Sequence, residues 1–80
     1  MSHTQLTGLL TQLHDTFAGN APSAEVNALM QKMQQSLQNG KVAPEIADAA
    51  SELLVEVEDA HPKATALVLD IIEILDRMGV

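Results

Sequence analysis

Apolar residues recur every three or four positions in four separate stretches of this chain. That spacing places them on one face of an α-helix and on neither face of a strand. The first stretch, from about Thr4 to Ala18, carries Leu6, Leu9, Leu10, Leu13 and Phe17. The second opens at Pro22-Ser23 and carries Val26, Leu29, Met30, Met33 and Leu37. The third begins near Pro44, with Ile46, Ala50, Leu53, Leu54 and Val57 facing inward. The fourth runs from about Pro62 to Met78. Phe17 is the only aromatic, and a core built from Leu, Met and Ala suits helices better than sheets.

Punctuation between the stretches agrees with this reading. Ser2 or Thr4 is expected to cap the first helix, which Gly8 weakens slightly and Gly19-Asn20 ends. Ser23 is expected to accept from the free amides of the second helix, with Glu25 favourably placed against its positive end. Gln31, Gln34, Gln35 and Gln38 lie mostly off its apolar stripe, and Asn39-Gly40 is the stop signal. Pro44 suits the first position of the third helix. At His61-Pro62 two readings stand open: a tight corner in which Pro62 starts the fourth helix, which we favour, or one long helix kinked there. The expected fold is all-α: four short amphipathic helices in an up-down bundle, the last two joined at a tight His-Pro corner. Residues 1–80 form one helical-bundle domain, without internal repeats, low-complexity tracts or long linkers.

The fourth helix carries more apolar surface than three small neighbours are expected to cover. At 100° per residue, its apolar side chains from Ala64 to Met78 span an arc of roughly 220°, whereas a surface helix needs little more than ~100°. Only Asp70, Glu73 and Arg77, with Lys63 and Ala66, mark a polar side. A core of this size supplies about 3–5 kcal/mol and commonly calls for a disulfide, a metal or a second subunit. The chain has no cysteine, which removes disulfides and thiolate metal sites. A homodimer is therefore expected, and its candidate face is Leu67, Val68, Leu69, Ile71, Ile72, Ile74, Leu75 and Met78.

Charge narrows the other partners. Eleven acids and four bases leave a formal charge of −7. Lys32, Lys41, Lys63 and Arg77 are scattered, so neither nucleic acid nor an anionic membrane surface is an expected partner. The most apolar run, Ala64 to Leu75, is broken by Asp70 and Glu73 and falls short of the ~20 residues that cross a bilayer. No targeting signal is legible at the N-terminus, and a cytoplasmic location is expected.

Chemistry-bearing clusters are few. His61 at the corner is expected to cap the next helix or to bond nearby backbone; a ligand-binding or pH-switch role is the alternative. Glu58 and His61 have the Glu-x-x-His spacing of di-iron bundles, but such sites need two copies and further inward carboxylates. His3 and His14 read as isolated. Glu45, Asp48, Glu52, Glu56 and Asp59 follow three-and-four steps along the outer side of the third helix. This acidic stripe reads as a solvated face, or as a docking surface for a basic protein partner of unknown identity. Glu73 and Arg77 form a favourable i,i+4 pair. Ser23, Ser36 and Ser51 lack a triad, and no Gly-rich phosphate loop exists. Size, acidity and four helices are similar to those of acyl carrier proteins, but the nearest string to their Asp-Ser-Leu is Gln35-Ser36-Leu37, at the end of a helix. No enzyme activity, metal or cofactor is expected. The preferred function is a self-associating, non-enzymatic protein–protein interaction or structural module; the alternatives are an adaptor that binds a basic partner through the acidic helix face and, behind it, a metal-binding or acyl-carrier-like protein.

Both ends of the chain carry a resemblance. Gln5-Leu6, Leu9-Leu10 and Leu13-His14 open it, and Glu58-Asp59-Ala60-His61-Pro62 with Leu67, Ile71, Leu75 and Met78-Gly79-Val80 close it. These segments resemble the bacterial domain-of-unknown-function 4404 family. Val57 stands where that pattern suggests an aromatic, and Ala64 where it suggests Leu. The resemblance implies a small helical protein without an assigned activity, and so without catalytic residues to carry over.

Overall fold

A computed structural model describes residues 2–17, 23–40 and 44–79. Four α-helices account for most of them: α1 (Ser2–Thr16), α2 (Ala24–Gln38), α3 (Pro44–Val57) and α4 (Pro62–Arg77). There is no strand among the described residues. Each helix packs on its neighbours in the chain, and α1 closes the ring against α4, while the diagonal pairs do not meet. A helix of 15 residues is ~22 Å long, and the long axis of the molecule is 29 Å. The helices therefore run side by side, and the short connections reverse direction at each end, giving the up-down bundle.

One spacing builds the core. The buried residues are Leu6, Leu10, Leu13 and Phe17 on α1; Val26, Met30, Met33 and Leu37 on α2; Ile46, Ala50, Leu53 and Val57 on α3; and Ala64, Val68, Ile71 and Leu75 on α4. In every helix the steps are four, three and four. Eleven residues make three turns of an α-helix, so each set stays within about 60° of one direction. Leu29 and Ala49 widen the stripes of α2 and α3. No polar or charged residue is buried among those described, so the core carries no desolvated group in need of a partner.

The boundaries show which local signals act. Ser23 caps α2 as expected: its Oγ accepts from the Val26 amide at 3.1 Å. Gly40 closes the other end at φ 73°, a left-handed conformation glycine adopts without steric cost. Pro44 begins α3 and Pro62 begins α4, positions where the missing amide proton would be unpaired anyway. The helix α1 departs from expectation. It spans Ser2–Thr16, so Thr4 lies inside it and not at its cap position. Ala18 and the expected stop at Gly19-Asn20 lie outside the described residues, as does Pro22.

His61-Pro62 is a corner and not a kink. The α3 helix ends at Val57, residues 58–60 turn, and the His61 amide donates back to the Val57 carbonyl at 2.9 Å. His61 occupies the N-cap position of α4, but its side chain makes no capping hydrogen bond, which corrects the role expected for it. Its ring meets Phe17 edge to face instead, with centroids 5.4 Å apart and planes at 85°. Thr65, one turn into α4, ties down the corner: its Oγ1 donates to the His61 carbonyl at 2.9 Å and lies 3.3 Å from that of Val57. Val57 and Ala64, the two departures from the resemblance, are both fully buried.

Candidate interaction faces

Folding divides the apolar surface of α4 into a core stripe and two flanks. Ala64, Val68, Ile71 and Leu75 are at most 1% exposed. Val68, Ile71 and Leu75, expected on a self-association face, are thus interior to the single chain and unavailable to a second one. Leu67, Ile72 and Ile74 are half-buried against the core, and Leu69 and Met78 are 49% and 36% exposed.

Helical steps of 100° sort these five residues. Leu67, Ile74 and Met78 fall on one side of the core stripe, and Ile72 and Leu69 on the other. Thr65 shares the second flank and reaches the Val57 carbonyl, so that flank faces α3. The first flank faces α1. Gln5, Gly8, Leu9 and Gln12 of α1 meet Asp70, Glu73, Ile74 and Arg77 of α4 around an open groove of about 410 Å³. Leu9 and Ile74 form its apolar floor. Gly8 leaves a gap in its α1 wall, because a Cβ placed there would touch nothing within 4 Å. A smaller hollow continues along the same seam, where Lys63 and Leu67 of α4 face Gln12, Asp15 and Thr16 of α1.

The acidic stripe is solvated throughout. Glu45, Asp48, Glu52 and Glu56 on α3, and Asp59 in the corner, are all exposed. Val55 stands among them and is 67% exposed, a residue sequence reasoning passed over. Glu52 lies one turn before it on the helix, and Glu58 and Asp59 follow in the turn after α3. Glu73 and Arg77 pair as expected, in the one salt bridge among the described residues.

Other residues with reactive or ligating potential lie apart. No group of three or more His, Cys, Asp or Glu side chains converges among the described residues. Glu58 is exposed in the turn while the His61 ring lies against Phe17. Ser36 sits in the last turn of α2, half-buried, not at a helix start as a carrier serine would. His3 was read as isolated, yet its Nε2 lies 2.9 Å from the Leu37 carbonyl and ties the start of α1 to the end of α2. Only the antiparallel placement of those two helices could have revealed this contact. No helix among the described residues is long and apolar enough to cross a membrane.

A family model described as "Domain of unknown function (DUF4404)" matches residues 3–80. The chain belongs to the DUF4404 family. The match spans the middle of the chain as well as the two ends that carried the resemblance. No curated protein and no solved structure matches it. Membership therefore says which chains share this bundle and leaves activity open, so function has to be argued from the surface of this DUF4404 protein.

Proposed function

We propose that this DUF4404 protein is a non-enzymatic interaction module that works as a homodimer, associating through α4. The observation that carries this reading is the apolar surface left over on that helix: Leu69 is 49% exposed, and Leu67, Ile72 and Ile74 remain half-buried after the chain has folded. Single exposed apolar residues are ordinary. Four left wholly or partly uncovered on one 16-residue helix, in a chain whose core contains one aromatic, make a second copy the simplest cover. Sedimentation equilibrium of the whole chain tests it. A dimer at about 50 µM is expected, and a strict monomer there would reject it.

The acidic stripe supports a second reading, an adaptor docking a basic protein partner on α3. Val55 exposed amid Glu52, Glu58 and Asp59 favours it. Charged attraction of that kind weakens with salt. Capture of a partner at low salt and its release at high salt is the expected result; a set of bound proteins indifferent to salt would leave the stripe as a solvated face.

A further inference from the structure

The two flanks of α4 differ in charge, and charge selects the one that can meet its own copy. On the α3 side, the neighbouring helix contains four acids and no Lys or Arg. A second copy docking there would bring the same acids against it. On the α1 side, the neighbouring helix carries one acid, Asp15, and α4 itself contributes Lys63 and Arg77 beside Asp70 and Glu73. Asp70 and Lys63 have no ion-pair partner among the described residues.

We propose that the second copy docks in the α1–α4 groove, with the two α4 helices antiparallel and each Arg77 reaching the partner's Asp70. This deepens the self-association reading and rests on it. Asp70, Glu73 and Arg77 follow steps of three and four along the outer edge of α4 and share one side of the helix. A two-fold crossing centred between Glu73 and Ile74 brings Arg77 level with the partner's Asp70, and does so twice by symmetry. Arg77 is then held between its own Glu73 and the partner's carboxylate. Pairing Lys63 with the partner's Asp70 would also balance charge, but it centres the crossing near Ala66, away from the groove. The register through Arg77 centres it where Leu9 and Ile74 supply an apolar floor. Gly8 fits the same arrangement. Glycine weakens a helix interior, and nothing inside this chain needs the missing side chain. A second helix lying over the groove does need it, because a side chain at position 8 would stand between the two.

The test is sedimentation equilibrium of the full chain, with circular dichroism to monitor helix content. Gly8→Leu fills open space in the single chain, so helicity should hold or rise while self-association weakens about tenfold or more. Arg77→Asp should weaken it comparably, and the double variant Asp70→Arg/Arg77→Asp should recover most of the loss, since both side chains are exposed and an arginine at position 70 stays one turn from Glu73, whose pair with Arg77 the exchange removes. Leu69→Asp, on the opposite flank, should leave the dimer intact. A dimer indifferent to Gly8→Leu and to both charge variants, yet broken by Leu69→Asp, would overturn the groove while preserving self-association. A monomeric wild-type chain would overturn both. Should Gly8→Leu fail to fold, the two charge variants still decide the matter.

Discussion

Leu53 has no exposed surface, and neither have Leu13, Val57, Ala64 and Val68. In a bundle of 80 residues with one layer of core, each such side chain carries an unusual share of stability. A domain of this size is expected to hold about 4–12 kcal/mol in all. Leu53→Ala should cost about 2–5 kcal/mol from lost transfer energy and the cavity left behind. Urea unfolding should show the midpoint collapse, and a loss under ~1 kcal/mol would mean the helices close over the gap. Ser23 acts through one hydrogen bond, to the Val26 amide. Ser23→Ala should cost about 1 kcal/mol, while Ser23→Asp, which retains an acceptor, should cost little. Equal losses in the two variants would show that the hydroxyl does not act as a cap.

The helices differ in how well they are supported from within. In α3, successive carboxylates one turn apart, Glu45, Asp48, Glu52 and Glu56, repel by a few tenths of a kcal/mol per pair. That helix survives on its buried face, Ile46, Ala49, Ala50, Leu53 and Val57. Exposed Val55 adds a β-branched residue of lower helix propensity. Val55→Lys should relieve both terms, pairing with Glu52 one turn earlier and raising stability by about 0.5 kcal/mol at low ionic strength. The gain should shrink in salt; a gain unchanged by salt would assign it to propensity alone. The α1 helix is the counterpart, nearly free of charge but weakened at Gly8 by about 0.5–1 kcal/mol. It is held at both ends from outside, by His3 on the Leu37 carbonyl and by Phe17 against the His61 ring. His3, which reads as isolated in the sequence, and Phe17 thus join this end of the chain to residues 34 and 44 positions away.

For the whole molecule, the balance between core and chain entropy bears on oligomeric state. Burial of α4's remaining apolar flank against a second copy would add to a small core, and its contribution follows mass action. Folding and association should then be linked: the urea midpoint should rise as protein concentration rises from about 1 to 100 µM. A midpoint independent of concentration would mean that the single chain is stable by itself and that any pairing adds nothing to it. The net charge of −7 acts in the opposite sense, since two copies repel at long range. Added salt should therefore strengthen self-association on any face, whereas the Arg77–Asp70 contact by itself should weaken.

Periodicity and cap residues were enough to place the four helices, the cap of α2 at Ser23 and the start of α3 at Pro44, while His61-Pro62 admits a corner or a kink and packing decided for the corner. Periodicity also specified nearly all of the core, because the period of a helix and the placement of its caps are local properties written in adjacent residues. Tertiary structure decided the rest. The sequence could show that α4 has apolar residues around most of its circumference, but not that Val68, Ile71 and Leu75 would be consumed by the chain's own core while Leu69 stayed wet. Nor could it show that Ala49 would be buried, that His3 would find Leu37, or that His61 would turn to Phe17 instead of capping α4. Each of those outcomes depends on which helix lies beside which and at what level. That is settled by packing between residues distant in the chain, and no window of consecutive residues contains it.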